Sequence, residues 1–191
     1  MTTQEIHRRL TERFGEAIGP LAEGVDPACT VAAEQIAYVC RWLHDEPGIE
    51  LGSLMCLSAT DDKETLGVVY NLHSVKHNHK ITLKVVLTDR TNPHVPSVAH
   101  VFGTANWHER EAYDMMGIVF DDHPDLRRIL CPDDWEGWPL RKDYVVQEYY
   151  RGLRVPYPEG KDPDRGHWVT RQIADERAFP AAPQEPDLSG V

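Results

Sequence analysis

Seven ionisable residues crowd into one short stretch: His108, Glu109, Glu111, Asp114, Asp121, Asp122 and His123. Two carboxylates near an imidazole can trade protons with a substrate. The same residue types can hold a divalent metal. Their spacing works against both. Glu109 and Glu111 lie two apart, so on a helix they face different sides. With Asn106 as N-cap, Glu109 takes the third helical position and can reach back in a capping box; Thr104 is the other candidate cap. Both glutamates then stand where the helix dipole favours negative charge. Arg110 and Asp114 are spaced to pair across one turn, for about 0.2–0.5 kcal/mol. The cluster reads as a rigid, charged knuckle whose polar groups satisfy one another or a partner surface, not as a catalytic centre.

Two other sets of residues invite a metal. His73, His77 and His79 surround a hairpin tip, and two of them on one side of a strand can bind one; the plain reading is polar tip residues. Cys29, Cys40, Cys56 and Cys131 are scattered, with no C-x-x-C spacing. An iron–sulfur cluster or a zinc ribbon needs close ligands, so the chain is expected to hold neither. Each Cys reads as a small buried hydrophobe.

The elements that must position the knuckle follow from periodicity. Residues 3–18 are expected as a helix, with Thr2 and Glu5 as a capping box, Ile6, Leu10, Phe14 and Ile18 on one face, and Gly19-Pro20 as the stop. Residues 29–32 suit a short strand. Ile36, Val39, Cys40 and Leu43 mark the buried face of a helix over 34–44. Then the period changes to two. Residues 53–58, the alternating set Leu66, Val68, Tyr70 and Leu72, and the set Ile81, Leu83, Val85 and Leu87 predict a hairpin-rich antiparallel sheet with one wet face. Helices must cover the other face. The expected fold is α+β, two-layer, mainly antiparallel, plus an extended C-terminal tail. Residues 92–97 are expected as a loop and 98–102 as a strand leading into the knuckle helix.

That helix buries Ala112, Met115 and Met116 and leaves through Gly117, where the chain must turn left-handed. Residues 118–120 read as a strand and 121–125 as a turn, with Pro124 restricting His123. Residues 126–130 suit a strand or a helical turn. Residues 131–139 have no period; Trp135, Trp138, two Pro and Gly137 make a loop pinned by aromatics. Arg141-Lys142 reads as an exposed basic pair, so Arg141→Glu is expected to spare the fold and impair docking. The domain is expected over 1–150. From 151 to 191 prolines accumulate, and folding them alone cannot repay about 1–2 kcal/mol of backbone entropy per residue. That tail is expected disordered or laid across a partner, with Tyr157 and Trp168 as anchors and 171–178 as two helical turns.

The chain has 191 residues and a net charge of −11. The charge argues against nucleic acid and anionic lipid. No run approaches the ~18 apolar residues of a membrane span, and the N-terminus lacks a signal-peptide core. The expected location is cytoplasmic, with membrane attachment only indirect.

Three blocks carry a family resemblance: W-H-E-R-E-A-Y-D-M-M-G-I-V-F from Trp107, H-P-D-L-R-R-I-L from His123, and W-E-G-W-P-L-R-K-D-Y from Trp135. In order and spacing they resemble the signature of the 30 kDa subunit of respiratory complex I, the type I NADH-quinone oxidoreductase. The likeness extends more weakly over residues 34–155, through the strand pair and Val95–Ser97. Trp138 stands where the family pattern has His, and Val145 where it has Pro. The resemblance implies a structural, cofactor-free subunit of the peripheral arm of a quinone-reducing, proton-translocating enzyme. FMN and iron–sulfur clusters belong to partner subunits. The chain is expected to dock the large quinone-site subunit and neighbouring cluster-bearing subunits on the cytoplasmic face of the cell membrane. The signature residues, expected at the interface, are Trp107, Glu109, Arg110, Glu111, Asp114, Gly117, His123, Pro124, Leu126, Arg127, Arg128, Trp135, Gly137, Arg141, Lys142, Asp143 and Tyr144. Two alternatives stand beside this reading: the equivalent scaffold of a membrane-bound hydrogenase or ferredoxin-linked complex, and a free-standing metal-dependent hydrolase.

Overall fold

The alternating apolar residues form the strands they predict. In the computed structural model, which describes residues 1–22, 24, 27–147, 149–151, 153 and 154, β1 is Ile18–Leu21, β2 Ala28–Val31, β3 Ser53–Asp61, β4 Leu66–Ser74 and β5 His79–Leu87. They make one five-stranded sheet in the order β1-β2-β5-β4-β3. All neighbours are antiparallel except β2 and β5, which run parallel. In β4 and β5 every second side chain is buried, from Leu66 opposite Leu87 to Leu72 opposite Ile81. Three helices supply the second layer: α1 (Thr3–Phe14), α2 (Ile36–Asp45) and α3 (Ala105–Met116). Their apolar stripes and the inner face of the sheet join in a single core cluster.

α1 is shorter than the sequence pattern suggests. Thr2 caps it, its hydroxyl accepting from the Glu5 N–H at 3.3 Å. It ends at Phe14 because Gly15 adopts φ +56°, a left-handed exit. A 3-10 turn follows, and Ile18, Gly19 and Pro20 belong to β1. Ile18 is buried as expected, but from a strand. α2 buries Ile36, Val39, Cys40 and Leu43.

Two expectations between the sheet and the knuckle are reversed. His94–Pro96 forms a strand, β6, which pairs in parallel with β7 (Val119–Asp121). Residues 98–102 form a turn instead, closed by N–H groups of Val101 and Phe102 on the Val98 carbonyl. Val98 and Phe102 are buried, so burial made them apolar rather than strand pairing. The order β6-α3-β7 is thus a small parallel crossover unit. Residues 126–130 form neither strand nor helix.

The chain divides into two units, Met1–Tyr144 and Val145–Val191. In the second, β8 (Tyr149–Tyr150) and β9 (Leu153–Arg154) pair antiparallel around Arg151, whose φ is +49°. The expected tail anchors Tyr157 and Trp168 and the helical turns at 171–178 lie outside the described residues. Among the described residues no helix is long and apolar enough to cross a membrane.

Candidate functional site

Three buried carboxylates organise the knuckle, and each holds a different segment.

Glu109 is fully buried on α3 and performs no capping. Its carboxylate accepts from the Ser97 hydroxyl at 2.6 Å and from the Val98 N–H at 2.7 Å. It therefore pins the turn after β6 to α3. The capping-box expectation fails because α3 begins two residues earlier than that cap implies, at Ala105, which makes Glu109 the fifth helical residue and puts it out of reach of the cap. Thr104 stands at the N-cap, but its hydroxyl donates to the Leu54 carbonyl of β3. Burial pushes the Glu109 carboxyl up to about 7; the Ser97 and Val98 hydrogen bonds oppose that rise without cancelling it. His123 lies 3.8 Å from Glu109 with its side chain fully covered. Its ring is otherwise engaged: Nε2 faces the Asn106 carbonyl at 3.2 Å and Nδ1 accepts from the Asp125 N–H at 3.0 Å. Burial lowers the His123 pKa, which favours this neutral form.

Asp114 is the second anchor. One carboxylate oxygen accepts from three successive backbone N–H groups, of Ile129, Leu130 and Cys131, at 2.9, 2.6 and 2.9 Å. The other takes the Arg128 guanidinium at 2.9 Å. The expected Arg110–Asp114 helix pair is absent among the described contacts; Arg110 turns instead to the Arg127 carbonyl at 3.2 Å and to Asp125 at 3.8 Å. Its guanidinium also lies 5.0 Å from the centre of the Trp107 ring. Burial alone would raise the Asp114 pKa, yet the three N–H groups and Arg128 outweigh it and hold the carboxyl below its ordinary value.

Asp61, at the end of β3, is the third. It receives both arms of Arg90, at 2.6 and 3.1 Å, the Lys63 N–H at 2.7 Å and the Lys142 N–H at 2.9 Å. The Arg90 pairing leads the causes that hold Asp61 far below the usual carboxylate range. Arg90 also meets Asp143 at 3.1 Å. Arg141 is half-buried, not an exposed docking charge. Its guanidinium donates to the carbonyls of Met116 at 2.6 Å and Arg90 at 2.9 Å. Lys142 is exposed and is tied down through its backbone. Neither Asp61 nor Arg90 stood out in the sequence, because their partners lie far away in the chain.

Aromatic rings close the loop between these anchors. Trp138 stacks against the Arg128 guanidinium at 4.6 Å and meets Tyr113 edge-on at 5.4 Å. It also covers Gly117, whose φ is +68°. A Cβ there would enter the indole ring, so glycine is required twice over. Gly137 has φ +78° and lies against the Tyr144 ring. Trp135 is half-buried in the same loop, and Leu126 packs on the core. Glu111, Pro124 and Arg127 are exposed; Arg127 pairs with Asp125 at 3.0 Å. Three large apolar side chains are exposed among the charged residues of the knuckle: Trp107, Leu130 and Leu140, each about 60% exposed.

Of the knuckle residues singled out for acid–base or metal chemistry, only Glu109 and His123 come close among those described, and each is engaged by other groups. Glu109 and Asp114 point into different pockets of structure, and Asp121 pairs with His94 at 2.7 Å. At the hairpin, His77 meets Glu50 at 2.6 Å and His79 the Ile49 carbonyl at 2.7 Å. Among the described residues no three His, Cys, Asp or Glu side chains converge as a metal site. Of the four thiols, Cys29 and Cys40 are buried and Cys56 and Cys131 half-buried.

The fold and site together define a two-layer α+β domain whose knuckle is held by three buried carboxylates, Glu109, Asp114 and Asp61. The sequence comparison is specific: residues 29–150 match the family described as the respiratory-chain NADH dehydrogenase 30 Kd subunit, and the chain belongs to that family. An NADH-quinone oxidoreductase subunit of this family from Chlorobium phaeobacteroides is 44% identical over 172 residues, 81% of this chain and 99% of that protein. The counterpart from Chloroherpeton thalassium is 48% identical over 158 residues, 79% of this chain and 64% of its own length. This chain thus spans less than two thirds of some of its relatives. A counterpart from Rhizobium etli is 38% identical over 92% of this chain and 94% of its own. Among solved structures, the trypsin-resistant fragment of Nqo5 shares the fold at TM-score 0.51 and 24% identity, over 63% of this chain and 98% of the fragment. A chain of an archaeal membrane-bound sulfane sulfur reductase shares it at TM-score 0.60 and 18% identity, over 96% of both.

Proposed function

We propose that this chain is a cofactor-free scaffold of the peripheral arm of an NADH-quinone oxidoreductase. It docks the large quinone-site subunit and its cluster-bearing neighbours, so that electron-transfer distances are kept. It contributes no reacting group of its own, and its attachment to the cytoplasmic face of the membrane is through the complex. The interface is the knuckle surface around Trp107, Glu111, Leu130, Leu140 and Lys142.

One observation carries this reading: Glu109, Asp114 and Asp61 are each consumed in holding backbone, while Trp107, Leu130 and Leu140 stand exposed among the charged residues of the knuckle surface. That is the composition of an interface anchor rather than of a reaction site. The names of the relatives support the NADH-linked complex.

The test is gentle detergent purification of the tagged chain from its native host, with mass spectrometry of what accompanies it. Flavin- and cluster-bearing subunits with NADH-quinone activity are expected. The likeness to a chain of the sulfane sulfur reductase complex, which is one of fold, keeps a second reading alive, in which the same scaffold serves a hydrogenase or ferredoxin-linked complex. Partners of that kind would move the assignment there. A lone chain with stoichiometric metal would overturn both.

A further inference from the structure

A second surface lies away from the knuckle, between α1 and α2. Its floor is aromatic: Phe14 and Trp42 meet edge to face, with centroids 5.8 Å apart and planes at 79°. Both rings are half-buried against the core. Tyr38 stands one turn before Trp42 and is 68% exposed. Arg13 and Arg41 line the same opening, a groove of about 580 Å³. Both are exposed, and among the described residues neither guanidinium has a carboxylate partner. Arg8, five residues before Arg13 on α1, is paired with Glu12. The carboxylate in the groove lining, Asp45, is taken by His44 Nδ1 at 2.6 Å.

Two arginines without a carboxylate partner among the described residues, flanking an open aromatic floor, are the residue types that dominate binding energy at protein interfaces. Arginine's planar fork matches carboxylates two bonds at a time and stacks on rings. The charge complement fixes the occupant. A net charge of −11 disfavours acidic chains elsewhere on the surface, whereas Arg13 and Arg41 offer them unspent charge. We propose that this groove docks an acidic segment of a partner polypeptide, with an apolar side chain on the Phe14–Trp42 floor beside Tyr38 and carboxylates on Arg13 and Arg41. The proposal rests on the reading of the chain as a scaffold within a complex and adds a second contact, on α1 and α2 rather than on the knuckle.

The test is photo-crosslinking. Tyr38 is replaced by p-benzoylphenylalanine in the full chain, the complex is purified and irradiated, and the linked peptide is sequenced. The expected product joins position 38 to another polypeptide at a segment with two or more Asp or Glu close to the link. The Arg13→Glu/Arg41→Glu double variant is expected to lose at least tenfold of that product. Arg13→Gln/Arg41→Gln, which removes charge without reversing it, is expected to lose less, and both should keep the parent melting temperature. A link to residues of this chain, to a second copy, or to a segment without carboxylates overturns the proposal, as does no link from an intact complex. Failure of the complex to co-purify at all would instead sink the scaffold reading on which this rests.

Discussion

The Asp114 carboxylate and the Arg128 guanidinium meet at 2.9 Å with the aspartate side chain fully covered and the arginine 11% exposed. The aspartate lies on a helix and the arginine on a segment with no regular structure. One ion pair, with three N–H groups beside it, fixes that segment against the helix. Asp114→Ala leaves three backbone donors without an acceptor and the Arg128 cation without its counter-charge, held only by the carbonyls of residues 114 and 137. It is expected to cost about 3–5 kcal/mol, the range for breaking one side of a buried pair. Urea unfolding measures the loss, and limited proteolysis should find new cleavage within residues 126–140.

Gly117→Ala tests the other end of α3. The added methyl would need a left-handed backbone and the space now held by the Trp138 ring. A loss of about 1–3 kcal/mol is expected. Trp138→Ala should relieve the steric part, so the double variant should lose less than the sum of the two singles. An additive result would show that backbone strain acts alone.

Arg141→Glu is now expected to damage the fold itself. It removes the donor to two carbonyls and sets a carboxylate against them. A cost of about 2–4 kcal/mol follows from two orphaned acceptors. A variant with the parent melting temperature would restore the simpler picture of a docking charge.

Glu109 gives a pH dependence of definite sign. Its folded pKa is about 7, above the ordinary value of 4.5. Between those values the native state holds a proton that the unfolded state has released. This contribution to stability is therefore complete below about pH 4.5 and lost as pH rises through 7. His79 and His123, lowered by burial, act oppositely and withdraw stability as pH falls past 6.5. The difference between the parent and Glu109→Gln isolates the carboxyl. That difference should shift against the parent from pH 5 to pH 8 in denaturation experiments; a flat difference would remove the titration.

Deleting residues 156–191 is expected to weaken the assembled complex and to leave the melting temperature of the domain nearly unchanged. A large drop in that melting temperature would contradict the division of labour.

The sheet and the second helix were legible because burial there has one period, as in Leu66, Val68, Tyr70 and Leu72 or in Ile36, Val39, Cys40 and Leu43. β6 was not, because a three-residue strand containing Pro96 carries no period, and its parallel partner comes after a whole helix. Gly117 announced the end of α3, but the ring above it lay hidden in an aperiodic loop. Glu109 and Asp114 stood out in the sequence but were given the wrong partners. Local spacing offers a cap and an i, i+4 pair worth tenths of a kcal/mol. Desolvated backbone N–H groups from other segments offer more, and they won.

The three carboxylates also differ in how far along the chain they reach. Glu109 takes Ser97 from 12 residues away and Asp114 takes Cys131 from 17, while Asp61 takes the Lys142 N–H across 81. A ribosome delivers these partners in sequence. The β3-β4-β5 meander is complete once Leu87 emerges, and the knuckle can latch once Cys131 does. Asp61 and Arg90 must wait, paired with each other, for residues 141–143. A nascent chain halted at residue 135 would carry a finished meander and a latched helix with an open seam between them, and the arrival of one short basic loop is what seals the domain.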